Sequence, residues 1–441
     1  MLGMLRKFRN PRPSPLRLEQ SLLSAQIGAS DYGPSFFRRC WIVLKAEGEP
    51  SWLNSYKSFL LSSYLNILLL FVPLSAAAHY EDWDAGFRFS FSTIAIVPLF
   101  KLLGQSTEQI SFRLGQIPAG LLNVLFGNPE FIVGVAALLR DELDLVQSAM
   151  LGCILYNILL MLGCSFCASG LRYTESNFQV TASQNSGSLI TLVSIAFVIP
   201  AIYHYIKLDG GGLHVLDYND HQSPVISCMN DTDVANPALL RGLLIISRGT
   251  AVMLLLVYIL YLFFELKSHH YLFTAIEDDD LELEPAGMST ISACTAFLVM
   301  TIVTFFSADH LVASVGEFTK EYHVPRSLIG LVIIPITMNI VDHIITVWIA
   351  MRGHMEPVVG ICIGNSINIG TFILPFLVLL GWLSNHQLVL LFGNFETISL
   401  HMSVLLVNQI IHDGKSNYLE GFMLITLYSL IVLTLWVFYY K

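Results

Sequence analysis

At 441 residues, with 54% hydrophobic and only 13% charged side chains, the chain lacks the surface of a soluble protein, which carries about 25% charged residues. A net charge of −10 says little about nucleic acid beyond arguing against a phosphate-binding surface. The lipid bilayer is the solvent that suits this composition and a mean hydropathy of +0.64, and the chain reads as an all-α polytopic membrane protein.

Residues 1–56 are polar and carry Arg6, Lys7, Arg9, Arg12, Arg17, Arg38, Arg39 and Lys45. Such a cluster ahead of the first span predicts a cytoplasmic N-terminus. No apolar stretch adjoins it, so no cleavable leader is expected and the first span directs insertion. A spanning helix needs about 20 apolar residues, and about eleven runs qualify: 58–79, 88–103, 107–139, 142–169, 188–206, 243–266, 287–307, 324–351, 356–382, 386–411 and 417–439. Only helices and closed barrels satisfy the backbone in hydrocarbon, and runs this long suit helices. Loops 80–87 and 207–241 are poor in Lys and Arg and fall on the far side; the latter holds a possible glycosylation sequon at Asn230. Segment 267–286 carries Glu277, Asp278, Asp279, Asp280, Glu282 and Glu284, and reads as a solvated linker or a cation-collecting cytoplasmic segment.

The chain repeats itself at an offset of 212 residues: Glu130 maps onto Asp342, Arg140 onto Arg352 and Gly152 onto Gly364. Five runs after the first precede the acidic linker and five follow it. An odd number per repeat turns the halves upside down relative to one another, so the expected fold is a first helix plus two inverted five-helix repeats, which builds ion sites at the midplane. The segments are then 1–56 (basic), 57–87 (first helix and loop), 88–266 (first repeat), 267–286 (linker) and 287–441 (second repeat). Run 107–139 is roughly 50 Å long as a helix, against a hydrocarbon core of about 30 Å. It is expected to tilt or to break at Gly127-Asn128-Pro129; Pro335 marks the corresponding place before Asn339, Asp342 and His343. Proline frees a backbone carbonyl, and free carbonyls at membrane depth line cavities.

A carboxylate at mid-membrane costs several kcal/mol unless paired, protonated or metal-bound. No Lys or Arg lies nearer along either acid-bearing stretch than Arg140 or Arg352. Two states remain accessible, two protons or one divalent cation, and burial favours the protonated form enough for them to compete. Glu130 and Asp342 are therefore the expected cation- and proton-binding pair. Calcium takes about six to eight oxygens; Asn128, Asn157, Asn339 and Asn368 place amides near the acids or in the following helices, where the alternative is that they bond neighbouring helices. His343 either relays a proton or bonds a neighbour. Glu108 and Asp309 read as vestibule acids or as solvated interfacial ones. Cys164 and Cys167 have CxxC spacing without a soluble context and read as packing residues. No Ser/His or zinc-ligand spacing supports an intramembrane hydrolase; neither an enzyme nor a resident cofactor is expected.

The stretches Leu102 to Glu108 (LLGQSTE), Arg113 to Gln116 (RLGQ), Leu121 to Asn128 (LLNVLFGN), Ser247 to Ala251 (SRGTA), Ser403 to Asn408 (SVLLVN) and Asp413 to Gly421 (DGKSNYLEG) resemble the calcium/proton exchanger (CAX) family of the cation/calcium exchanger superfamily, in order, from about residue 52 to the C-terminus. The resemblance implies an antiporter of vacuoles or other acidic compartments that uses lumenal protons to drive calcium inward, by alternating access around Glu130 and Asp342. The ion-site motifs depart from the family. Its Gly-Asn-Ala-Val-Glu is shortened here to Gly127-Asn-Pro-Glu130, and its Gly-Asn-Ala-Ala-Glu-His becomes Met338-Asn-Ile-Val-Asp-His343. Cys153, Tyr156 and Asn365 replace serines and Asn368 a glutamine, while Asn157 and Ser366 match. Exchange of sodium, potassium or manganese, and a non-transporting diverged relative, are the alternatives these departures open.

Overall fold

Apolar runs in hydrocarbon must close their hydrogen bonds locally, and the chain does so as a succession of helices. The computed structural model describes residues 52–61, 63–114, 122, 127–208, 237–268 and 288–439. The basic segment up to residue 51, residues 209–236 with Asn230, and residues 269–287 of the acidic linker lie outside the described residues. The helices are α1 (Trp52–Leu60), α2 (Tyr64–Tyr80), α3 (Ala85–Leu114), α4 (Pro129–Leu139), α5 (Leu143–Gly170), α6 (Val180–Leu208), α7 (Pro237–Phe263), α8 (Thr290–Tyr322), α9 (Arg326–Ala350), α10 (Met355–Leu383), α11 (Asn394–Ile411) and α12 (Tyr418–Tyr439). All belong to one compact unit, Pro50–Lys441. Among the described residues, 8 helices are long and apolar enough to cross a membrane. The shorter apolar α2 and α4, with α11, bring the set into line with the spans expected from the sequence.

Several expected boundaries are corrected. The first span starts at Tyr64, after a separate α1, because Ser63 caps it by accepting from the Leu65 N–H. Runs 88–103 and 107–139 do not divide near residue 105. Helix α3 runs unbroken through the polar stretch because Ser106 and Thr107 donate to the carbonyls of Leu102 and Leu103 on their own helix. The break expected at Gly127-Asn128-Pro129 is present: Asn128 is extended and Pro129 is the first residue of α4, where its missing N–H costs nothing and its fixed φ suits a helix. Pro335 does not break α9, because a π-turn at Ile329–Ile333 runs directly into it. One feature lies outside the all-α expectation, a two-residue antiparallel ribbon pairing Ser176 with Ser416 and Asn177 with Lys415.

The packing has the two-fold pattern of inverted repeats. Equivalent helices meet each other, α3 against α8 and α6 against α11, and the remaining contacts come as mates: α5 with α12 and α7 with α10, α5 with α9 and α4 with α10. Near the α4–α5 turn the repeats are tied by ion pairs of Arg140 with Asp309, Arg326 with Glu142 and Arg88 with Glu317. Elsewhere Arg172 and Tyr173 donate to the carbonyls of Met351 and Arg352, at 3.1 and 3.2 Å, closing the end of α9.

The centre of the bundle is formed by α5 and α10, whose apolar windows are 83% and 67% buried against 28% for α7 and α12. Small residues let α5 lie there. A Cβ on Gly152 would stand 2.6 Å from the Leu331 carbonyl oxygen and 2.7 Å from the Pro335 ring, and one on Gly421 would stand 2.6 Å from the Gly163 carbonyl. Backbones approach this closely in membranes only where side chains are minimal. Gly152→Ala is expected to destabilise the detergent-solubilised protein by about 1–3 kcal/mol through overpacking, read as a lower melting temperature. Gly249→Ala, at a glycine with open space around it, should leave the melting temperature unchanged; equal melting of the two variants would refute the close α5–α9 crossing.

Candidate ion-binding site

The first acid is placed by a helix start. Asn128 takes the extended N-cap conformation of α4 without a side-chain capping bond, Pro129 follows, and Glu130 sits in the first turn, 3% exposed. The second acid is placed by an irregular helix. After the π-turn of α9 comes Pro335, whose carbonyl accepts from the Asn339 amide at 3.1 Å. Asp342 lies one turn further and accepts a long bond of 3.5 Å from the Asn365 amide of α10. The Glu130 carboxyl interacts with the Asn339 side chain and, electrostatically, with Asp342. Acids from opposite repeats are thus brought within electrostatic reach, Glu130 contacted by the Asn339 amide of α9 and Asp342 by the Asn365 amide of α10.

Neither arginine that the repeat carries reaches them. Arg140 donates to both oxygens of Asp309, its Nη2 at 2.7 Å, and the Arg352 guanidinium lies 3.5 Å over the Trp348 ring. Among the described residues no cationic side chain pairs with Glu130 or Asp342. Nor do any three His, Cys, Asp or Glu side chains converge as a resident metal centre. A cation here would be cargo, held by two carboxyls together with amide and backbone oxygens.

Both central helices carry a π-turn at matching places, Tyr156–Met161 in α5 and Ile369–Ile373 in α10. Asn157 lies in the first, with neither side-chain polar atom bonded though fully buried; Asn368 immediately precedes the second, its Oδ1 likewise buried and unbonded. An unsatisfied buried polar group costs about 1–3 kcal/mol, and π-turns cluster at functional sites. These amide oxygens are the acceptors that a desolvated cation, or water, would use.

The residues that depart from the family motifs also meet here. Cys153 of α5, fully buried, interacts with Glu130 and Asn339, and its Sγ lies 3.6 Å from the Met338 sulfur of α9. The Tyr156 hydroxyl is hydrogen-bonded to His343 Nδ1 at 2.7 Å, across the same helix pair. Ser366 is turned away, donating to the Cys362 carbonyl of its own helix. Of the two vestibule candidates, Asp309 is held by Arg140, and Glu108 is exposed on α3. Sequence reading missed Cys362, which is fully buried and lies within the electrostatic reach of Asp342. Its position three residues before Asn365, on the same helix face, was the available signal. It missed Glu396 and Tyr428 as well: Glu396 stands in a G-x-x-E start to α11, while Tyr428 is hidden in the uniformly apolar α12.

The chain is similar to a vacuolar calcium ion transporter of Schizosaccharomyces pombe, 37% identical over 385 residues and 87% of each chain. It is also similar to vacuolar cation/proton exchanger 5 of Arabidopsis thaliana, 32% identical over 98% of this chain and 92% of the other. Among solved structures, native YfkE superposes with a TM-score of 0.64 at 25% identity, covering 84% of this chain and 98% of that one. The sodium/calcium exchanger protein family matches residues 86–267 and 292–437, which hold both acids and both π-turns, and the chain belongs to that family.

Proposed function

We propose that the chain is a secondary antiporter that exchanges protons for a divalent cation, calcium first, across the membrane of an acidic, vacuolar-type compartment, with its N-terminus in the cytoplasm. The observation that carries this reading is the pairing of Glu130 and Asp342 from opposite repeats, electrostatically coupled and without a cationic partner among the described residues. Such a pair is stable with protons or with a divalent cation and poor with neither, so loading one releases the other. Relatives named for vacuolar calcium transport and for cation/proton exchange support the substrates and the compartment. Asn157, Asn339, Asn365 and Asn368 add amide ligands, and Asn128 belongs to the turn that presents Glu130. Because the acids ride on different repeats, rocking one helix group against the other opens the pair to each face in turn.

The test is cation uptake into inside-acid proteoliposomes. Wild-type protein should accumulate calcium only while the pH gradient lasts, and Glu130→Gln or Asp342→Asn should each reduce uptake to background. Folded wild-type protein that moves no cation against a proton gradient would sink the proposal.

A second reading within the same mechanism rests on sulfur. Cys153 and Met338 stand beside Glu130 where the family motifs have serine and glycine, and sulfur ligands favour softer cations than calcium. Cys153→Ser should shift the ratio of apparent affinities for cadmium over calcium towards calcium by about tenfold, or roughly 1.4 kcal/mol. An unchanged ratio would assign the thiol to packing alone.

A further inference from the structure

A small cavity opens between α5, α9, α11 and α12, at the end of the bundle that carries the start of α11. Its walls are apolar except for Glu396, Ser399 and Tyr428, and it has room for about one water, whose retention needs polar partners such as these. The Tyr428 hydroxyl is buried without a hydrogen-bond partner on a residue only 6% exposed. Its ring meets the Tyr156 ring edge-on at 6.2 Å, and Tyr156 is bonded to His343, next in sequence to Asp342. Glu396 and Tyr428 thus share one cavity, Tyr428 packs on Tyr156, and Tyr156 is bonded to the residue next to Asp342. These contacts lie on the α12 side, whereas Glu130 is presented by α4.

We infer that Glu396 and Tyr428 form a proton branch separate from the cation route, taking protons from the lumenal end to the carboxyl pair. The inference rests on the antiport reading above. A lumenal proton adds to the Glu396 carboxylate, making the acid. It leaves through water in the cavity to the Tyr428 oxygen as the Tyr428 hydroxyl proton passes to the Tyr156 oxygen, and the Tyr156 hydroxyl proton moves on to an ionised carboxylate of the pair, so Glu396 is again a carboxylate and both tyrosines end as they began. The groups that face Glu396 suit this use. Asp144 of α5 acts on it electrostatically, and the Gly393 N–H donates to its Oε2 at 2.7 Å. Tyr428 comes from α12, only Leu331 and Val332 from α9, and α6 meets α11 further along, where Ser194 bonds His401. None of these is a cation that would hold Glu396 permanently ionised.

The plainer role for Glu396 is the helix cap, and two variants separate the roles. Glutamine serves a capping box as well as glutamate, so Glu396→Gln keeps the cap and removes only the titrating acid. Tyr428→Phe keeps the ring and removes only the hydroxyl. Full-length protein in proteoliposomes is assayed for calcium flux as lumenal pH is stepped, with cytosolic-side cation affinity and melting temperature measured alongside. Each variant should melt like wild type and keep its half-saturating calcium concentration. Its proton-driven maximal flux should fall about 10²-fold, the low end of what a positioned proton-transfer group contributes, and should lose its dependence on lumenal pH. Active wild type with variants of wild-type flux and pH profile would overturn this inference alone; a wild type without proton-driven flux would overturn the antiport reading and this inference with it. Should Tyr428→Phe fail to fold, Glu396→Gln decides between the outcomes.

Discussion

Two buried carboxyls without a counter-charge are the constraint from which the rest of the molecule follows. Both repeats supply an arginine ten residues beyond the acid, close enough in sequence to have neutralised it, and both are committed elsewhere, Arg140 to Asp309 and Arg352 to the Trp348 ring. Had either reached its acid, the site would hold a permanent ion pair, and a permanent ion pair binds no cargo. The bundle keeps the charges apart at the cost of leaving the acids dependent on something that comes from solution.

That arrangement demands a tightly closed surround, since one mobile water layer would weaken the competition between proton and cation. The closure comes from α5 and α10 at the centre and from glycines where α5 crosses α9 and α12. The repeats nevertheless use unequal means. Glu130 lies in the first turn of α4, where unpaired backbone N–H groups favour a negative charge by about 0.3–1 kcal/mol. Asp342 lies deep within α9 and has only the long bond from Asn365. Pseudo-symmetric sequence positions thus hold their acids in different surroundings, one at the start of a helix and one within an irregular helix.

The sequence alone disclosed the parts that depend on charge in an apolar run: the two acids, the offset that relates them, the arginines and the inverted five-helix plan. It misled where side chains satisfy polarity locally. The dip in hydropathy around Ser106 and Thr107 looked like a loop, yet both hydroxyls bond back into α3. The Tyr156–His343 bond joins residues 187 apart, beyond what any local pattern carries. Glu396 had a legible signal in its spacing from Gly393, which pointed to a cap and gave no reason to look for a cavity behind it.

The departures from the family motifs bear on whether the site is working or decayed. Met338 replaces a glycine, and its sulfur rests on Cys153, which replaces a serine; Tyr156 replaces another serine, and its hydroxyl is bonded to His343. Both contacts join α5 to α9, and all four side chains line the same crossing. A site released from its function would be expected to accumulate unrelated changes, leaving voids or unmatched polar atoms, because cores tolerate volume changes poorly unless these are compensated. Here the larger Met338 and Tyr156 each have a partner of fitting chemistry in the opposite repeat, and the unmatched polar atoms nearby include the asparagine groups beside the π-turns of α5 and α10 and the Tyr428 hydroxyl. That pattern is one of compensated replacements around the same pair of acids rather than of unrelated changes.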